Sequence, residues 1–462
     1  MISRLPAELL LRVGEQLAVA ECRSLSSVNS QFRQFLLPTL FKGLRANNRY
    51  QHAGILEKLV PAIATYVQRL NFDLYLSEGT EEDEADEENG DGGSSKAQDS
   101  NDERALRVSN TAPIVWELLS RRALPNLTTL RVTFCPLPDN FVGDGWSDDG
   151  LGGGIYLAEH MEYDDGNTEA EMRFFWRGLF NKSFETMASG SGELHRLEIL
   201  NLPPKAASAQ STDAWRTFLG TVKEFEISLW GGDNGAGWQA NTIRGYLDSI
   251  AELEDSFFEH LTSAKRVKLV ADDQNPIGCP GMCHTPIPFG YVQLPEIEHL
   301  ELQDCFVDAA LIAFLRSHRQ LKSLRLTNCY SAGNNLARGT ARSATPWADF
   351  FSAVRESQAN HLHEFTLQED RTPPLTHEEQ FHRDDGPYDP PDDEADDVRT
   401  VRRILTEDTG RRLFAYVSLD DKYGMVFAYE EVNISAFLEG VDQREFDELM
   451  AMVNRNQSGA GK

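Results

Sequence analysis

Basic charge, long apolar runs and cysteine are all scarce in this chain of 462 residues. Lys and Arg number 44 against 73 Asp and Glu, which leaves a formal net charge of −29. Neutralising phosphates requires a basic face, so this deficit argues against a nucleic-acid partner, and an anionic lipid surface is disfavoured for the same reason. No apolar run approaches the roughly 18 residues a membrane helix needs. Arg4, Glu8, Arg12 and Glu15 interrupt the first helical pattern, and no charged-then-apolar leader is present. The expected compartment is therefore the cytosol or nucleus. There the six cysteines should be thiols, and the N-x-[ST] triplets at Asn126, Asn181, Asn433 and Asn456 should stay unglycosylated.

Catalytic signatures are equally thin. The glycine runs Gly150 to Gly154 and Gly231 to Gly237 lack a following Lys-Ser/Thr and read as loops. Neither a G-x-S-x-G elbow nor an H-E-x-x-H motif occurs. Cys279, Cys283 and His284 supply at most three zinc donors, two of them adjacent, where a structural site takes about four, so plain surface thiols are the expectation. No catalytic residue, cofactor or metal ligand is assigned.

What the chain does have is acid, unevenly placed. Glu78 to Arg104 holds 12 acidic and two basic residues; His377 to Arg399 holds 10 and two. These two segments carry −18 of the charge and leave −11 on the rest. Both have too little apolar surface to offset ordering entropy and are expected to be disordered insertions, with an acidic docking tail as the alternative.

Between them lies a recurring frame. Leu127 to Cys135 (LTTLRVTFC), Ile297 to Cys305 (IEHLELQDC) and Leu321 to Cys329 (LKSLRLTNC) are apolar at positions 1, 4 and 6 with cysteine at 9. Looser copies begin at Val67, Leu194, Val222, Ala264 and Leu362. Positions 4 and 6 share one side of a strand and position 5 takes the other. Helical patterns intervene at 112–123, 168–187, 211–222, 241–264, 306–320 and 345–360, the last with Thr345 before Pro346 as a cap. The frame resembles the leucine-rich repeat L-x-x-L-x-L-x-x-[N/C]. Its intervals of 60, 67, 28, 42, 33, 24 and 41 residues depart from that family's regular period. Unrelated strands of an α/β domain are the alternative. Cys135, Cys305 and Cys329 are expected to be structural, and the position-5 residues Arg131, Glu198, Glu226, Lys268, Glu301, Arg325 and Thr366 should form an outward, sign-alternating face for a protein target.

The first forty residues imply three short helices. Ser3 can cap one carrying Leu9, Leu10, Val13 and Leu17; Cys22, Leu25 and Val28 mark a second; Phe32, Phe35, Leu36 and Leu37 mark a third, ended by Pro38. Leu5-Pro6, Glu8-Leu9-Leu10, Leu25 to Asn29, Phe32-Arg33 and Pro38 to Phe41 together resemble an F-box, with Cys22 where a larger aliphatic residue is frequent. A helical end cap for the repeats is the alternative. The resemblance implies a docking module for the adaptor of an SCF-type cullin-RING ubiquitin ligase, and through it the cullin. Leu5, Pro6, Leu9, Leu10, Val13, Leu25, Val28 and Phe32 match the adaptor-facing positions.

Arg411 to Leu419 and Met425 to Val432 read as a hairpin, and Ser435 to Val453 as one closing helix. The expected fold class is α/β: an F-box over residues 1–45, an irregular leucine-rich-repeat-like solenoid over 46–370, an acidic disordered loop over 371–400 and a hairpin-plus-helix cap over 401–455. This layout resembles fungal F-box proteins with a divergent repeat region. It implies a non-catalytic substrate receptor; a scaffold without ligase association is the competing class.

Overall fold

The computed structural model describes residues 12, 16–76, 111–135, 166–190, 192–233, 237–278, 286–332, 345–358, 361–370, 373–382, 388–391, 394–420 and 422–460. The segment 78–104 read as an acidic insertion lies outside them. The chain is mixed α/β and divides into two compact units, the first running to Val222 and the second built mainly from Lys223 onward. That division falls within the stretch 46–370.

The first unit opens with helices α1 (Val19–Ser26) and α2 (Ser30–Leu40). Asn29 starts α2, its side chain accepting from Phe32 N at 2.8 Å. Pro38 does not end this helix, contrary to expectation. Its missing N–H costs one bond, but its fixed φ suits a helix, and Phe41 N still donates to Leu37 O at 2.9 Å.

Strands β1 (Gly43–Asn47), β2 (Arg69–Tyr75), β3 (Thr129–Cys135) and β4 (Arg196–Leu202) follow, each parallel to the next. The register lines up Leu44, Leu70, Leu130 and Leu197 in one row and Ala46, Phe72, Val132 and Ile199 in the next. Position 4 of the frame thus stacks on position 4, and position 6 on position 6. All eight residues are buried.

Helices α3 (Tyr50–Ile63), α4 (Pro113–Leu119), α5 (Gly166–Arg173), α6 (Phe175–Ala188) and α7 (Asp213–Thr221) complete the unit. Phe180 meets Phe134 of β3 at 5.0 Å, and Phe184 packs edge-on against Phe180 and Trp215, both at 5.1 Å. The single helix expected over 168–187 is broken at Phe174, which is extended.

In the second unit β5 (Glu224–Leu229), β6 (Arg266–Val270), β7 (His299–Gln303), β8 (Ser323–Thr327) and β10 (Glu364–Gln368) pair in parallel, in that order. Phe225, Val267, Leu300, Leu324 and Phe365 form one apolar row; Ile227, Leu269, Leu302, Leu326 and Leu367 form the other. Helices α8 (Arg244–Ser256), α9 (Ala309–Ser317) and α10 (Trp347–Ser357) lie between successive strands in the chain.

Thr345 does not cap α10. The first free N–H groups are met from far along the chain: Trp347 N donates to Tyr416 Oη at 3.0 Å and Ala348 N to Asp442 Oδ1 at 2.9 Å.

A short strand β9 (Ser331–Ala332) pairs in parallel with β11 (Tyr416–Leu419), whose antiparallel partner is β12 (Val426–Ala428). The segment 371–400, read as disordered, contains helix α11 (His377–His382) and the start of α12 (Asp396–Glu407). Apolar anchors explain the order: Leu375, Val398 and Val401 bury with Leu413, Ile434 and Phe437, while Arg402 ion-pairs with both Glu379 and Glu394. The closing helix is two, α13 (Glu430–Glu439) and α14 (Val441–Ala460), separated by Gly440 at φ 65°. Among the described residues no helix is long and apolar enough to cross a membrane.

Candidate interaction surface

Because strand side chains alternate, burying positions 4 and 6 forces position 5 to the opposite face of each strand. Parallel register then stacks Arg131 beside Glu198 in the first unit, and Glu226, Lys268, Glu301, Arg325 and Thr366 side by side in the second. The seven predicted target-facing residues fall into these two rows.

They are not equivalent. Glu198 is only 2% exposed, which corrects its expected outward role. It is held between the Nε atoms of Arg131 and Arg196, the latter two residues earlier on the same strand and so on the same face. In the second unit Lys268 Nζ stands 3.4 Å from both Glu226 and Glu301, and Arg325 pairs with Glu364 at 3.2 Å. Side-chain exposure there rises along the row from 13% at Glu226 through 28% at Lys268 and 30% at Glu301 to 43% at Arg325. The β7–β8 end is therefore the accessible part. Its alternating signs suit polar protein contacts and present no field to attract phosphate.

Just before β7, Glu298 receives Lys322 at 2.6 Å and Lys265 at 3.2 Å, and these bonds hold its carboxyl below the usual range. Burial lowers the neighbouring His299, which favours its neutral form.

Position 8 of the frame carries a feature that the apolar pattern does not advertise. Asn201, Asp304 and Asn328 all adopt left-handed backbone, with φ of 56°, 54° and 49°. Short Asx side chains tolerate that conformation best among residues with a Cβ. Two of these turns are tied across strands by their side chains: Asn201 Nδ2 donates to Phe134 O at 2.8 Å and Asn328 Nδ2 to Asp370 Oδ2 at 3.0 Å. The lettering N, D and N at this position was the available signal.

The position-9 cysteines follow these turns. Cys305 and Cys329 are buried and Cys135 half-buried, and their Sγ atoms lie near backbone carbonyls. Burial pushes the Cys329 thiol up to about 12 and raises those of Cys305 and Cys135. At all three, burial disfavours the thiolate. Cys279, Cys283 and His284 lie outside the described residues.

Of the predicted adaptor-facing residues, Leu5, Pro6, Leu9, Leu10 and Val13 also lie outside the described residues. Leu25 on α1 is half-buried, Val28 beyond its end is 66% exposed, and Phe32 on α2 is buried. Val28 is thus an apolar side chain offered to solvent beside an anchored aromatic. Cys22 is fully buried, its small thiol filling the interior face of α1.

No family model matches the chain, and no curated protein matches it.

Proposed function

We propose that the chain is the substrate-recognition subunit of an SCF-type cullin-RING ubiquitin ligase. The observation that carries this reading is the order and spacing of the N-terminal residues: Leu5-Pro6, Leu9-Leu10, Val13, then Leu25, Val28 and Phe32. These dock the adaptor, and the cullin joins through it. The exposed Val28 in the turn between α1 and α2 supports the assignment, since a docking module needs apolar contacts outside its own small core.

The strands behind that module form an irregular leucine-rich-repeat-like solenoid that holds a target protein. Support comes from the parallel stacking of like frame positions and from the recurring Asx turn at position 8. Recognition uses Lys268, Glu301, Arg325 and Thr366, with Arg131 in the first unit. The subunit performs no chemistry; it converts ubiquitin transfer to a target lysine into an effectively intramolecular event.

The test is copurification of the full chain with the adaptor. Wild type should retain it, and a Leu5→Ala/Pro6→Ala double variant should lose at least about tenfold in affinity with an unchanged melting curve. Absence of adaptor on the wild-type chain overturns the ligase assignment and leaves a repeat scaffold.

A further inference from the structure

A cavity of about 550 Å³ opens beyond the C-terminal ends of β7, β8 and β10, roofed by the β11–β12 hairpin. Among the described residues its lining includes the carboxylates of Asp273, Asp304, Glu369 and Asp370 and no lysine, arginine or histidine. Tyr330, Tyr416 and the Pro373-Pro374 pair give it apolar walls.

Acidic loops alone would say little here. The informative group is Asp304. It is 3% exposed, sits on the left-handed turn after β7 and accepts from Gln303 Nε2 through Oδ2 at 3.0 Å, with the Asn328 side-chain amide also beside the carboxyl, while Oδ1 meets no donor within hydrogen-bond geometry among the described residues. A buried carboxylate oxygen without a donor is costly, and a ligand that donates to it would relieve that cost. Asp273 and Asp272 add negative potential at the same place and, after burial, help raise the Asp304 carboxyl to about 7.

We propose that this cavity binds the arginine side chain of a partner peptide, its guanidinium donating to Asp304 and Asp273 and its stem lying along the tyrosine and proline walls. A guanidinium supplies several N–H donors in one plane, keeps its charge in a partly buried site and packs on aromatic faces, three properties that this lining matches together. The volume is that of a small-ligand site and admits the arginine with parts of its neighbours. A metal ion is the poorer fit, since no group of three His, Cys, Asp or Glu among the described residues is placed to hold one. The site is distinct from the charged row on the sheet face and does not depend on adaptor binding.

The probe is fluorescein-labelled Gly-Ser-Arg-Ser-Gly titrated by anisotropy into the full chain, beside the same peptide with citrulline in place of arginine. Citrulline keeps the shape and removes the charge. Saturable binding of the arginine peptide is expected to weaken about tenfold with citrulline and with Asp304→Asn, and about threefold with Asp273→Asn. Asp273 is exposed, so its variant tests the site without a folding risk. Asp248→Asn, a change on α8 at a half-buried residue that does not line the cavity, should leave binding unchanged. No binding to the wild-type chain, equal binding of the citrulline peptide, or equal binding by wild type and both cavity variants overturns the proposal.

Discussion

Two buried acids, one in each unit, have opposite surroundings. Glu198 in the first unit is 2% exposed and clasped by the guanidinium groups of Arg131 and Arg196. Asp304 in the second is 3% exposed and, among the described residues, has no cation against it, only the side-chain amides of Gln303 and Asn328 and other carboxylates nearby. Burial alone therefore does not define the role of an acid. Where the fold supplies its own counter-charge the group is part of the framework; where it withholds one, the group is poised to take a cation from elsewhere. The half-exposed Glu301, opposite Lys268 at 3.4 Å, stands between these extremes.

The largest expected effect tests the framework side of this contrast. Glu198→Ala removes the shared acceptor of two guanidinium groups packed on one sheet face. Both arginines keep some access to water, at 39% and 32% side-chain exposure, so the loss should be about 2–3 kcal/mol and short of a fully buried pair's. Urea unfolding of wild type and variant measures it. A loss below about 0.5 kcal/mol, the size expected of an exposed pair, would erase the distinction between Glu198 and the second-unit row.

How much of this was legible in the sequence follows a physical rule. The eight L-x-L segments could be found because two same-side apolar residues on a strand are a local pattern, readable without knowing the neighbours. Strand β1 escaped because Ala46 stands where the others carry a large side chain. The burial of Glu198 escaped because it depends on Arg131, one strand away, although Arg196 at two residues' spacing was a local hint. The N-terminal bonding of α10 by Tyr416 and Asp442 joins groups about 70 to 94 residues apart, and no local spacing encodes it. The order of 373–382 and 394–407 was masked by the charge around it, since a few anchors such as Leu375, Val398 and Val401 outweigh a composition that is disorder-like on average. The cavity around Asp304 was invisible for the same long-range reason: its walls come from segments 273 to 433.

The next effect tests the other side of the contrast, and it has the opposite sign. The Asp304 carboxyl titrates near 7 in the folded chain against 3.8 for an ordinary aspartate, so the folded state holds the proton more tightly. Its contribution to stability is therefore lost as pH rises from about 4 to about 7. Asp304→Asn removes that loss and keeps the left-handed turn, which asparagine tolerates. The variant should be more stable than wild type by on the order of 1–2 kcal/mol at pH 8, with no advantage below about pH 4. Asp272, raised mainly by its own burial, remains in both proteins, as do Asp273, Cys305 and Cys329 beside the site, so only the difference between the two pH curves belongs to Asp304. A variant less stable than wild type at pH 8 would mean that the carboxylate has a stabilising partner and belongs with Glu198.

The smallest effect on stability falls on the sheet-face row, and its smallness is informative. Lys268→Ala removes a charge that sits between Glu226 and Glu301 at 28% exposure, and side-chain entropy and solvent screening offset most of what the ion pairs contribute. Unfolding should shift by no more than about 0.5 kcal/mol. The two glutamates would then face each other without a cation between them, which changes the electrostatic pattern that a partner meets far more than it changes the fold. Capture of a target through this row should accordingly depend on Lys268 and on salt, while adaptor copurification and arginine-peptide binding stay as in wild type. A loss of stability as large as that of Glu198→Ala would place Lys268 in the framework too, and would move the proposed recognition surface off the β6–β7 strands toward Arg325 and Thr366.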